Sequence, residues 1–215
     1  VWTLAEADVL VDITGYLGPR SGARLTPVGP TRVADTRTGL GGSTRLTAGG
    51  TLEIDLRSHV PADARAVALN VTVVGADGAG YLTAYPCGTV RPATSTVNHL
   101  ADEARPNNTI VGLGSGRVCV FSLAGADVLV DLVGVFATNG LGYLPTEPTR
   151  LVDTRTGRGP LTPLSGIEYQ IGNPGARRAV AASVNVTAVD HDRMGYTATY
   201  GCGSIPDTST VNQFV

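Results

Sequence analysis

The residues best placed to do chemistry form an arginine and aspartate block that occurs twice. Pro30-Thr31-Arg32-Val33-Ala34-Asp35-Thr36-Arg37-Thr38-Gly39 returns as Pro148-Thr149-Arg150-Leu151-Val152-Asp153-Thr154-Arg155-Thr156-Gly157. A carboxylate with guanidinium groups two and three residues away can accept charge-assisted, bidentate hydrogen bonds from them. Thr36 and Thr38 can satisfy backbone groups in the turn before Gly39. Arg32, Asp35 and Arg37, with Arg150, Asp153 and Arg155, are therefore expected to form a polar knot that pins a loop at each domain entrance. The competing use of the same groups is a site for a sugar, a carboxylate or a cation.

Cysteine offers a second chemistry. Cys87 and Cys119 lie in one repeat, Cys202 matches Cys87, and the partner of Cys202 would fall past Val215. One pair per repeat fits a disulfide closing a loop of 119 − 87 = 32 residues. Such a bond is worth roughly 3 to 4 kcal/mol in the chain-entropy model and points to an oxidising, extracellular setting. The alternatives are two reduced cysteines or a metal pair, which the lack of any C-x-x-C or nearby histidine disfavours.

The tyrosines are the third candidates. Tyr81 and Tyr85 recur as Tyr196 and Tyr200, and their even spacing places each pair on one face of a strand. Buried, they are core or interface residues; exposed, they are a stacking platform for a sugar. Histidine argues against catalysis. His59, His99 and His191 share no position between the copies, and His99 aligns with Gln213. A general base would not vanish from one copy, and no nucleophile elbow, zinc-protease or phosphate-loop motif is present. The chain is read as no enzyme, with no cofactor or metal. The Asp77-Gly78 turn and the Asp190-His191-Asp192 turn could hold Ca²⁺, but their ligands differ, as expected of ordinary turns. Asn70-Val71-Thr72 and Asn185-Val186-Thr187 match the glycosylation sequon yet fall mid-strand, and are read as structural.

Composition narrows the class further. All 16 basic residues are arginine, which excludes a Schiff-base or phosphate-loop lysine and any lysine to asparagine isopeptide. A net charge of −2 with both signs dispersed leaves no basic stripe for nucleic acid. No apolar run approaches the ~20 residues that cross a bilayer as a helix.

The elements that must position these residues repeat with them. The two blocks are 153 − 35 = 118 residues apart, far beyond a solenoid period, so each copy is a domain. Three other landmarks agree. Ala7 to Asp12 recurs from Ala126 (126 − 7 = 119), Gly80 to Gly88 from Gly195 (195 − 80 = 115), and Thr94 to Asn98 from Thr208 (208 − 94 = 114). Aligned in this way, residues 1–19 are the C-terminal strand of a preceding repeat, 20–138 a complete repeat, and 139–215 a second repeat truncated at its C-terminus. A strand from a neighbouring copy is the expected means of completing it.

Short β-branched segments at residues 9–17, 51–56, 66–74, 81–85, 94–98, 109–113, 117–123 and 128–136 read as strands, and 18–29 as a linker. Residues 51–56 alternate apolar with acidic side chains, the period of a strand with one wet face. No window offers a capped amphipathic helix. The expected fold is all-β, with tandem antiparallel β-sandwich domains of jelly-roll or immunoglobulin-like type.

The strings PTRVADTRTG, GYLTAYPCG, TSTVN and ADVLVDLVGVF together resemble a repeat of secreted actinobacterial proteins that often stands beside peptidase or other extracellular domains. Gly201 replaces the proline at Pro86 in the second copy. The resemblance implies export and a modular, noncatalytic role. The reading is a structural or interaction module of a surface stalk, fibre or filament, with copies of itself as partners. The alternative is a carbohydrate-binding module that tethers a secreted enzyme or a cell to surface polysaccharide.

Overall fold

The computed structural model describes residues 2–3, 8–18, 24–42, 44–171, 181–189, 193–205 and 210–213. Among these residues the chain is all-β. In order come β1 (Trp2–Thr3), β2 (Asp8–Gly18), β3 (Arg24–Asp35), β4 (Thr51–Asp55), β5 (Ala66–Val74), β6 (Gly80–Pro86), β7 (Val97–His99) and β8 (Ala104–Gly112). They are followed by β9 (Arg117–Ser122), β10 (Asp127–Phe136), β11 (Leu141–Asp153), β12 (Ser165–Gly166), β13 (Ala181–Val189), β14 (Gly195–Ala198) and β15 (Val211–Gln213). A single 3₁₀ turn at Thr154–Thr156 is the only described helical residue run.

Two compact units result: Thr26–Thr138, called here the central unit, and Val1–Leu25 with Asn139–Val215, called the split unit. In the central unit the strands run β3-β10-β5-β8 in one antiparallel sheet and β4-β9-β6-β7 in another. Sequence alternation explains how they share a core. In β4, Leu52 and Ile54 are buried while Thr51, Glu53 and Asp55 face water. In β5, Val67, Leu69, Val71 and Val73 are all fully buried. They join Val118 and Val120 of β9, Leu82 of β6 and Val128, Val130 and Leu132 of β10 in one apolar cluster. Each fully buried leucine or valine contributes about 1.5 to 3 kcal/mol of transfer free energy.

The split unit repeats this plan with strands from both ends of the sequence. Its sheets run β11-β2-β13 and β12-β1-β14-β15. Residues 8–18, read above as the closing strand of another repeat, pair with β11 and β13 of this chain. The registers match residue for residue. Asp127 faces Val74 and Asp131 faces Asn70 in the central unit; Asp8 faces Val189 and Asp12 faces Asn185 in the split unit. Both pairs slip at the same place, between Leu132 and Gly134 and between Ile13 and Gly15. Likewise Phe121 and Ser122 face Thr83 and Leu82, as Trp2 and Thr3 face Ala198 and Thr197. So β1 and β2 take in the split unit the places of β9 and β10.

Three expectations from periodicity are corrected. Residues 24–29, expected to be linker, are already strand, with Arg24 and Leu25 paired to Gly142 and Leu141. The strand expected at 94–98 begins three residues later and ends one later, at Val97–His99; just before it the Thr96 hydroxyl accepts the hydrogen bond from the Ala84 N–H at 2.9 Å in place of a backbone carbonyl. The strand expected at 109–113 begins five residues earlier, at Ala104, because β5 offers a ladder along its whole length.

Candidate functional site

The repeated block places its aspartate at the end of a strand and its second arginine in the turn that follows. In the central unit β3 ends at Asp35, and Gly39 closes the turn with φ of +81°, a conformation in which a Cβ is strained. The Leu40 N–H then returns to the Asp35 carbonyl at 3.1 Å. Arg37 grips Asp35 bidentately, Nε to Oδ1 at 3.0 Å and Nη2 to Oδ2 at 2.7 Å. The Arg37 backbone N–H adds a bond to Oδ1 at 3.1 Å, and Arg32 reaches Oδ2 at 3.5 Å. These four donors match the roughly four lone-pair sites of a carboxylate. Asp35 is buried and saturated by protein groups. Hydrogen bonding by Arg37 holds its pKa below the ordinary value.

Asp131 of β10 extends the knot. Arg32 donates to it through Nε at 2.8 Å and Nη2 at 3.2 Å. The carboxylate is almost wholly buried. Burial pushes its pKa up, opposed by Arg32 and by a hydrogen bond from Asn70. Asn70, the first residue of the sequon, is thus a buried partner of Asp131, which fits its structural reading. A second tie runs beside this one: Thr36 Oγ1 donates to Asp127 at 2.7 Å and accepts from the Val128 N–H at 2.9 Å.

The split unit builds the same first layer. Arg155 bonds Asp153 through Nε at 2.9 Å, Nη2 at 2.8 Å and its backbone N–H at 3.1 Å, and Arg150 adds Nη1 at 3.1 Å. Arg155 lowers the Asp153 pKa to about 2. Arg150 and Asp12 are direct cross-strand neighbours, the counterparts of Arg32 and Asp131.

Cys87 and Cys119 form a disulfide with their Cα atoms 5.0 Å apart, and Cys202 is an exposed free thiol. Glu53 lies with these sulfurs in the one metal-like grouping among the described residues, but oxidised sulfurs supply no thiolate. Gly114 lets the hairpin before β9 lie against this loop, since a Cβ there would sit 1.8 Å from the Cys87 carbonyl oxygen.

Tyr81 and Tyr85 share a face, as their spacing requires, and both are half-buried. The Tyr81 ring centroid is 6.0 Å from that of Phe121. Arg91 lies 3.9 Å over the Phe121 ring and donates to the Tyr81 hydroxyl at 3.2 Å, a cation–π arrangement. Tyr196 and Tyr200 are also half-buried, Tyr200 beyond the end of β14.

The histidines come to no common site: His59 is exposed, His99 is buried with Nδ1 3.1 Å from the Leu100 carbonyl, and His191 lies outside the described residues with Asp190 and Asp192. At the other turn considered for Ca²⁺, Asp77 already faces a cation, the Arg45 guanidinium at 2.6 Å. Arg45 also bonds Asp127 at 3.0 Å.

Sequence reasoning missed Asp131, Arg45, Arg91 and Phe121. Asp131 carried a signal, since it recurs as Asp12 in the repeated Ala-Asp-Val-Leu-Val-Asp string. Phe121 also carried one, since it matches the aromatic Trp2, whereas Arg45 and Arg91 have no arginine at the matching positions, so repetition could not flag them. No family model matches the chain, and no curated protein or solved structure matches it.

Proposed function

We propose that the chain is a noncatalytic, extracellular structural or interaction module built from tandem β-sandwich repeats, serving as a unit of a surface stalk, fibre or filament. The observation that carries this reading is the saturation of Asp35 and Asp153, the most distinctive recurring polar residues, by their own arginines and backbone. Groups so committed serve architecture and leave no lone pair for a substrate or a cation. The Cys87–Cys119 bond supports export, as does the resemblance to secreted actinobacterial repeats. Sedimentation velocity over a wide concentration range, with electron microscopy of the same samples, tests it. Ordered self-association is expected; a monomer at every concentration overturns the assembly role.

A second reading keeps one supporting observation, the half-buried Tyr81 beside Arg91 and Phe121, which fits a small stacking site of a carbohydrate-binding module. A glycan array giving binding that Tyr81→Ala abolishes would favour it over the structural role.

A further inference from the structure

The chain contains a single Asn-Gly dipeptide, Asn139-Gly140. It stands where the central unit ends at Thr138 and the second segment of the split unit begins. Its neighbours on both sides are fixed. The Thr138 N–H donates to Asp63 Oδ2 at 3.0 Å, and Leu141 and Gly142 pair with Leu25 and Arg24. Between these anchors Asn139 lies exposed in a bend. No hydrogen bond among the described residues holds its side chain.

Packing demands the glycine. Gly140 has φ of +153°, and a Cβ there would lie 3.0 Å from the Arg24 carbonyl carbon and 3.1 Å from that of Leu25. These are backbone atoms of a paired strand, which cannot swing aside as a side-chain tip would. The asparagine is not demanded. At the offset of the arginine and aspartate blocks, Gly140 matches Gly22 (140 − 22 = 118) and Asn139 matches Ser21. The glycine recurs, and the amide beside it belongs to one copy.

We infer that Asn139 is a site of spontaneous covalent modification, in which its side-chain amide is lost through a cyclic imide formed with Gly140. The Gly140 nitrogen gives its proton to hydroxide and attacks Asn139 Cγ. An N–Cγ bond forms, the Cγ–Nδ2 bond breaks, and Nδ2 leaves as ammonia. Water then opens the ring. Attack at Cγ leaves aspartate, and attack at the α-carbonyl leaves isoaspartate, whose main chain runs through Cβ and Cγ. Water is consumed, ammonia is released, and nothing is oxidised or reduced. Glycine favours closure because no side chain crowds its nitrogen and its backbone turns freely.

Other candidate positions are held. Asn70 hydrogen-bonds the buried Asp131, and Asn107 Nδ2 donates to the Thr96 carbonyl at 2.7 Å. In the Asp77-Gly78 turn the electrophile would be a carboxylate, already gripped by Arg45 at 2.6 Å. At Asn139 the product carries a new negative charge, and as isoaspartate an altered main-chain path, two residues before the Leu141 pairing. The inference stands apart from the proposed function, since it needs only time in water.

The test incubates the whole chain at neutral and at mildly alkaline pH beside a synthetic peptide of residues 136–143. Peptide mapping by mass spectrometry, with an isoaspartate-specific methyltransferase as second readout, should find aspartate and isoaspartate at position 139. Isoaspartate should be in excess, and conversion should be faster at the higher pH. The chain should convert within about tenfold of the peptide rate, as expected where the fold gives little local protection. Asn70 and Asn107 should stay intact. Asn139→Ser, the residue of the other copy, should melt at the same temperature and accept no methyl group in this segment. A folded chain that keeps Asn139 while the peptide converts, or that converts only in urea, overturns the site. So does a peptide that does not convert.

Discussion

The central and split units are built to one strand order and one register, yet equivalent residues differ in burial. Val71 is fully buried and Val186 half-buried. Cys87 is bonded to Cys119 and Cys202 is an exposed thiol. The comparison teaches that the environment of a residue is set by the strand next to its own. Where that strand is present, as β8 is beside β5, an apolar side chain is core. Where no such strand is among the described residues, the equivalent side chain is half-buried.

The largest effect should come from removing residues 1–18, which takes β1 and β2 from the split unit. Calorimetry should lose one of two unfolding transitions and keep the central one at its original temperature. An unchanged pair of transitions would show that β1 and β2 do not hold the split unit together. Next in size, Cys87→Ser with Cys119→Ser should cost the central unit roughly 3 to 4 kcal/mol in denaturant melts, for a loop of 32 residues. The split unit should not respond.

Smaller changes sharpen the contrast. Asp35→Asn leaves Arg37 without its bidentate partner beside a buried position and should cost the central unit about 2 to 3 kcal/mol. Asp153→Asn should move the split unit's midpoint less, because its knot is more exposed. Val71→Ala should cost about 2 kcal/mol and Val186→Ala about 1 kcal/mol or less, since one leaves a cavity and the other a dent. Equal costs would mean that the β13 side of the split unit is as well covered as β5.

Acid titration separates the carboxylates by sign. Asp35 and Asp153 are held below the ordinary value by Arg37 and Arg155. Their contribution is complete above the unfolded pKa near 3.8 and is lost as pH falls through the folded value, about 2 for Asp153. Asp131, raised by burial, works the other way: its contribution is present in acid and lost as pH rises through its folded pKa. Stability of the split unit should therefore fall between pH 4 and pH 2, a loss that Asp153→Asn removes.

Local patterns were legible without any structure. The alternation of residues 51–56 and the β-branched run of 66–74 became β4 and β5 with little change of bounds, because period-2 burial is written in neighbouring residues. The core of the knot was legible for the same reason: Arg32 and Arg37 lie three and two residues from Asp35. The disulfide was legible because the complete repeat holds two cysteines and no more, Cys87 and Cys119. Asp131 was passed over because its tie to Arg32 spans 99 residues, and Arg91 because nothing near it in sequence announces the Phe121 ring. The sequence by itself determined an all-strand chain, its repeat, and the short-range ion pairs, all of which depend on composition and spacing over a few residues. Only the tertiary structure decided that β1 and β2 complete the split unit. Backbone hydrogen bonds between strands are the same for every sequence, so which strand meets which is chosen by the packing of the whole unit.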